Sequence, residues 1–228
     1  ATGGADVMVG AGAMTNAPYY QDEHVTLYHG DARDILPGVE GAGLVLTDPP
    51  YGIGWKPRVN HQDQRWVDER LDITFAMVGQ FNCVWGGNYF TDLVRPSESW
   101  LIWIKRPDGF NFDNDARSYA VCEMAWSDFG GKPRTKHFTW DGGMRAGDAS
   151  NRTFCHPAQK PLEVMRWCID LAPEFSGPIV DPFMGSGTTI RAAIDCGHRA
   201  IGIEIDESYC EIAAKRLAQG VLDFGAAS

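Results

Sequence analysis

Six short apolar runs, unalternated and rich in β-branched residues, recur along the chain: Val25–Tyr28, Leu44–Thr47, Cys83–Trp85, Trp100–Ile104, Ile179–Val180 and Ala200–Ile205. A strand with one wet face alternates apolar and polar residues, whereas a strand that does not alternate must be covered on both faces. Between and after these runs, Leu71–Gln80, Leu162–Ala172, Thr188–Cys196 and Glu207–Gln219 carry helix-length apolar spacing. The alternation predicts an α/β fold: a mostly parallel sheet with helices on both faces, receiving ligands at the carboxyl ends of its strands.

At 228 residues and 44% hydrophobic content the chain can bury one full core, and a single domain is expected over 24–228. Residues 1–23, rich in Gly, Ala and Met without periodicity, read as a flexible leader, with order beginning near His24. No apolar run approaches the roughly 20 residues that cross a bilayer, so a soluble, cytoplasmic protein is expected. Cys83, Cys122, Cys155, Cys168, Cys196 and Cys210 contain no Cys-x-x-Cys pair, which suggests neither a metal site nor a dense disulfide scaffold.

The net charge of −10 argues against a nucleic-acid binder that uses its whole surface. Residues 130–160 reverse the balance, with six basic side chains (Lys132, Arg134, Lys136, Arg145, Arg152, Lys160) against Asp141 and Asp148. A solvated loop would explain this run; the interleaved Phe138 and Trp140 favour a segment that faces nucleic acid. Gly52–Arg70, Asp108–Arg117 and 130–155 are polar, dotted with aromatics and poorly periodic, and are the candidate substrate loops.

Asp48-Pro49-Pro50-Tyr51 directly follows the run Leu44–Thr47. Two successive prolines cannot donate backbone hydrogen bonds and have fixed φ, so the strand must end there in a rigid turn. This places an acid and an aromatic ring at a strand's carboxyl end. Asp48 and the Pro49 carbonyl could accept both N–H bonds of a base's amino group while Tyr51 stacks on the ring, polarising and aligning a nucleophile. A plain strand-to-loop turn is the competing explanation.

Ile179-Val180-Asp181-Pro182-Phe183-Met184-Gly185-Ser186-Gly187-Thr188-Thr189 reads as a strand, a Gly-x-Gly turn and a helix start. Glycines allow positive φ and close backbone approach, and a helix N-terminus offers free N–H groups to a carboxylate. Glu204 ends the next strand about 20 residues on, where an acid binds ribose hydroxyls. Asp206, which the spacing assigns to capping the helix from Glu207, is kept with the cofactor-binding residues. These two motifs leave a nicotinamide-dinucleotide enzyme open beside a methyltransferase.

Together, Asp48–Tyr51 and Asp181–Thr189 resemble the amino-methyltransferases of DNA, and the catalytic tetrapeptide standing ahead of the cofactor loop resembles their circularly permuted β group. His156-Pro157-x-Gln159-Lys160-Pro161-Leu162 is similar to the family segment leading into a helix that contacts the methionine end of the cofactor. Gly30-Asp31 matches an acid approaching the cofactor's adenine, and Trp85-Gly86-Gly87-Asn88-Tyr89-Phe90 resembles a segment of phage-type members. The resemblance implies a Rossmann-like sheet of seven strands, one of them antiparallel, with S-adenosylmethionine as cofactor, double-stranded DNA as partner and a base rotated out of the duplex.

It further implies Asp48, Pro49, Pro50 and Tyr51 as catalytic residues. Asp31, Asp48, Lys160, Asp181, Pro182, Phe183, Gly185, Ser186, Gly187, Thr188, Glu204 and Asp206 are implied as the cofactor site. Asp at position 48 leans toward adenine N6, since Ser there is commoner among cytosine-N4 enzymes of the family. About residues 130–155 are left for target recognition. Cytosine N4, an RNA or protein acceptor, and a non-catalytic binding module are the alternatives. Trp100–Ile104 is read as core strand, His137 and His156 as loop hydrogen bonders, and Lys105-Arg106 as either a phosphate contact or a solvated strand end.

Overall fold

The computed structural model describes residues 17–54, 69–105, 120–141, 144–145 and 159–224. The leader up to residue 16, most of Gly52–Arg70, the Asp108–Arg117 loop, Arg106, residues 146–155 and His156-Pro157 lie outside them. Nine strands form one sheet: β1 (Tyr20–Gln21), β2 (Val25–His29), β3 (Leu44–Thr47), β4 (Phe81–Trp85), β5 (Trp100–Ile104), β6 (Cys122–Ser127), β7 (Arg134–His137), β10 (Ile179–Asp181) and β11 (Ala200–Glu204). Their order is β1-β2-β11-β10-β3-β4-β6-β5-β7, and β8 (Trp140–Asp141) and β9 (Met144–Arg145) form a separate antiparallel pair.

The sheet has nine strands where seven were expected. The inner seven, from β2 to β5 in that order, keep the expected pattern: only β6 among them runs antiparallel. The additions are short edge strands, β1 antiparallel to β2 and β7 parallel to β5. Order therefore starts earlier than His24, because Tyr20 and Gln21 pair with Leu27 and Thr26.

The unalternated runs occupy the centre, as their composition requires. Every residue of β3 and β10 is buried, and successive side chains point to opposite faces. Leu44 and Leu46 join the core beneath α2 (Leu162–Leu171), α3 (Thr188–Asp195) and α4 (Glu207–Phe224), while Val45 and Val180 join a second core with α1 (Ala32–Ile35). The two covering layers are unequal. The second face relies on the four residues of α1 and on single 3₁₀ turns, among them Thr74–Ala76 and Gly87–Tyr89.

One of those turns corrects the sequence reading, for the helix expected over Leu71–Gln80 is absent. Only Thr74–Ala76 is helical, bracketed by an Asp72 carboxylate that accepts from the Thr74 amide and by Gly79, where any Cβ would overlap the β3 and β4 backbones. Ile73 and Ala76 are buried, three residues apart, so one turn suffices to seat the pattern that had suggested a longer helix. The segment 130–145, expected to be a loop, contains β7, β8 and β9. Trp100–Ile104 is core strand as expected, with Leu101 and Trp103 buried.

Candidate active site

The carboxyl ends of β3, β10 and β11 meet at one edge of the sheet, and the two sequence motifs sit there side by side. β3 and β10 pair in parallel through Val45 and Val180. The buried Thr47 hydroxyl then donates to Asp181 Oδ1 across 2.7 Å, tying the Asp48 turn to the Gly-rich loop.

Asp48 follows the last residue of β3, and the prolines end the strand where expected. Pro49 is buried. The Tyr51 hydroxyl donates to Asp48 Oδ1, and the Tyr51 ring stacks on Tyr89 with centroids 5.1 Å apart. Phe90 meets the ring edge-on. Gly86 adopts φ 68 directly beneath it, where a Cβ would overlap the Tyr51 ring. The Trp85–Phe90 segment is thus the wall that holds Tyr51, a contact between two regions that sequence spacing could not join.

Lys160 was expected with the cofactor residues. Its ammonium contacts Asp48 Oδ2, lies 3.3 Å from the Tyr51 hydroxyl and forms a second ion pair, 3.0 Å, with Glu123 Oε2 on β6. Glu123 pairs in turn with Lys105, the residue after β5. Burial works against the Lys160 charge, but the carboxylates of Asp48 and Glu123 outweigh it and hold the lysine above its ordinary value. Burial also opposes ionisation of Glu123, yet Lys160 and Lys105 pull it down to about 2. Asp48 is pushed up by burial and by Glu123, against the pull of Lys160. The Tyr51 hydroxyl is raised well above its usual value, by burial first and then by Asp48, and remains a proton donor.

The Gly-rich loop runs from β10 into α3 with Gly185 at φ 50 and Gly187 at φ 82, the conformations that the two glycines were expected to supply. Phe183 donates its amide to Asp181 and packs edge-on against Phe75. Burial raises Asp181 to about 6, against hydrogen bonds from Thr189, Thr47 and the Phe183 amide. Ser186, Thr188 and Thr189 are buried, and Arg216 of α4 braces the loop by donating to the Ser186 carbonyl at 2.7 Å. Met184 folds over β11 at Gly202, whose missing side chain makes the room.

Glu204, at the end of β11, accepts from the Gly185 amide on one carboxylate oxygen and from the Asp206 amide on the other, each at 2.9 Å. Asp206 caps α4, accepting from the Ser208 amide and hydroxyl. Asp31 stands beyond β2, the neighbour of β11, and caps α1; its carboxylate is engaged by Arg33. Sequence reasoning missed Glu123, Thr47, Tyr89 and Arg216. The one available signal was an acid set among Cys122, Met124, Ala125 and Trp126, an apolar company unusual for a surface carboxylate.

A family model described as DNA methylase matches residues 113–215. The Type II methyltransferase M2.DpnII of Streptococcus pneumoniae is 44% identical, over 90% of this chain and 94% of its own. The DNA adenine methyltransferase YhdJ of Escherichia coli is 46% identical, over 87% of this chain and 84% of its own. Among solved structures, the M1.HpyAVI–SAM complex superposes with a TM-score of 0.52 at 22% identity, covering 84% of this chain and 99% of that one. An acid-proline-proline-aromatic turn fastened to a Gly-rich strand-to-helix loop, within a chain that shares 44–46% identity with named methyltransferases over nearly its full length, makes this protein a member of the DNA methylase family.

Proposed function

We propose that the protein transfers the methyl group of S-adenosylmethionine to the exocyclic N6 of adenine in double-stranded DNA. The observation that carries this reading is the Thr47–Asp181 hydrogen bond, which sets an amine-polarising acid one residue from a buried tie to the Gly-rich loop. YhdJ is named for adenine in DNA, and the M1.HpyAVI structure is a complex with SAM; both support the assignment.

The residues present suit such a cofactor. A carboxylate offers about four lone-pair sites, and Glu204 spends two on backbone amides; the remainder match a vicinal diol such as that of ribose. Among the described residues no side chain caps α3 at Gly187, which suits its first amides to an amino-acid carboxylate. Asp31, Asp181, Pro182, Phe183, Gly185, Ser186, Gly187, Thr188 and Asp206 complete the proposed pocket; Lys160 stands at its border, paired with Asp48. S-adenosylmethionine, when bound, supplies an electrophilic methyl carbon.

Asp48 Oδ1 and the Pro49 carbonyl accept the N–H bonds of the target amine, directing its lone pair, while Tyr51 stacks on the base. An amine inside a stacked pair cannot be approached in this way, so the base leaves the duplex. The exposed Lys132 and Arg134, at the start of β7, contribute to the DNA-facing surface. Among the described residues no helix is long and apolar enough to cross a membrane. From the proposed DNA substrate alone we infer a cytoplasmic location.

Competition for labelled methyl groups among duplex DNA, RNA and protein tests the acceptor. The proposal predicts label on duplex DNA; label on RNA or protein alone contradicts it.

A further inference from the structure

Asp48 ends a line of alternating charge drawn from four parts of the chain: Lys105 just past β5, Glu123 on β6, Lys160 ahead of α2, and Asp48 itself just past β3. The Lys160 side chain is only 7% exposed. Taking such charges out of water is costly, and a whole buried ion pair can often be replaced by apolar side chains of similar volume with no loss of stability. The cation therefore points to a role on the carboxylate it touches.

The two oxygens of that carboxylate are divided between unlike donors. Oδ2 faces the Lys160 ammonium, which Glu123 anchors from the other side; Oδ1 accepts from the Tyr51 hydroxyl, a neutral donor on a ring stacked between loops. Displacing Lys160 would take the shared cation from both carboxylates and leave Glu123 with Lys105 alone, whereas displacing the hydroxyl removes no charge.

We propose that Lys160, anchored by Glu123, is a positioning residue that keeps Asp48 ionised and reserves its Oδ1 for the entering amine, which takes the place of the Tyr51 hydroxyl. The inference rests on the reading of Asp48 as acceptor of the target amine. It assigns Lys160 to the acid rather than to the cofactor, and it gives Glu123 a part in the reaction.

The groups facing Asp48 are Lys160, Glu123, Tyr51 and, from β10, Asp181. Of these only Lys160 is a cation, and it favours the ionised acid; Glu123 opposes ionisation. Lys160→Met and Glu123→Gln should therefore move the acid limb of activity in opposite directions. The experiment measures single-turnover methyl transfer to unmethylated duplex DNA against pH, with S-adenosylmethionine affinity measured alongside.

For Lys160→Met the limb moves to higher pH by about one to three pH units, the usual effect of losing an opposite charge at this range, with cofactor affinity unchanged. For Glu123→Gln it moves to lower pH, and Lys160→Arg restores most of the wild-type profile. Should Lys160→Met fail to fold, the isosteric Glu123→Gln and Lys160→Arg decide the matter. Unmoved limbs, shifts in the same direction, or a Lys160→Met defect confined to cofactor affinity would overturn the inference. An inactive wild type would overturn the proposed function instead.

Discussion

In the proposed reading Asp48 accepts an amine only while it is ionised and approachable, and its neighbours bear on both conditions. The tetrapeptide was legible in the sequence because two prolines leave the backbone almost no choice. Its surroundings were not, since Glu123 and Lys160 are 37 residues apart in the chain and meet only through the antiparallel strand β6. Gly86 is the clearest structural dependency at this scale. Gly86→Ala must adopt a positive φ and push aside the Tyr51 ring, so methyl transfer should fall at least roughly tenfold, with a loss of about 1–3 kcal/mol in urea unfolding. Unchanged turnover would show that Tyr51 does not need this wall.

Asp181 carries a measurable cost of the site. Its folded value is raised to about 6 from 3.8, so the folded state holds a proton that the unfolded chain releases. Stability contributed by this group is present below about pH 4, declines as the pH rises through that window, and is lost above about 6. Asp181→Asn should therefore stabilise the protein at pH 7, on the order of 1–3 kcal/mol, with the gain shrinking toward pH 4 and cofactor affinity falling. Urea midpoints across the pH range check the first part and calorimetric titration of the cofactor the second. A loss of stability at pH 7 would mean that the three donors on this carboxylate outweigh its burial.

Among the elements, the strands that are apolar throughout were readable and those with mixed composition were not. β3 and β5 have the expected limits, and α2 and α3 stop one residue short of theirs. β6 escaped notice because Glu123 interrupts its apolar character, and that interruption is chemically meaningful: the acid is compensated by two lysines from elsewhere in the sequence. The Leu71–Gln80 periodicity misled because a single 3₁₀ turn and a helix bury the same i, i+3 pair. β7 is a different case, an edge strand whose charge rather than apolarity was visible. Reversing Lys132 and Arg134 to Glu should weaken DNA binding uniformly across sequences and lower the salt-dependence slope by about one for each phosphate no longer neutralised, leaving cofactor affinity intact. An unchanged slope in fluorescence anisotropy would remove this strand from the DNA face.

At the scale of the whole molecule, chain order and spatial order diverge. β10 and β11 come late in the sequence yet lie between β2 and β3 in the sheet, which brings the cofactor-type loop beside a turn about 130 residues earlier. The alternation of strands and helices made the layered fold legible; the short edge strands were not, because two to four residues carry too little pattern. The molecule is acidic overall, so its grip on DNA must come from local basic patches. The central claim is a division of labour, in which Asp48 polarises an adenine amine and the β10–α3 loop with Glu204 holds the methyl donor. The direct measurement is nucleoside mass spectrometry of unmethylated DNA after incubation with S-adenosylmethionine and either the wild type or Asp48→Ala. The account predicts N6-methyladenine with the wild type, a loss of at least roughly 10²-fold with Asp48→Ala, and cofactor affinity retained in both. N4-methylcytosine in place of N6-methyladenine, or undiminished product from Asp48→Ala, would contradict it.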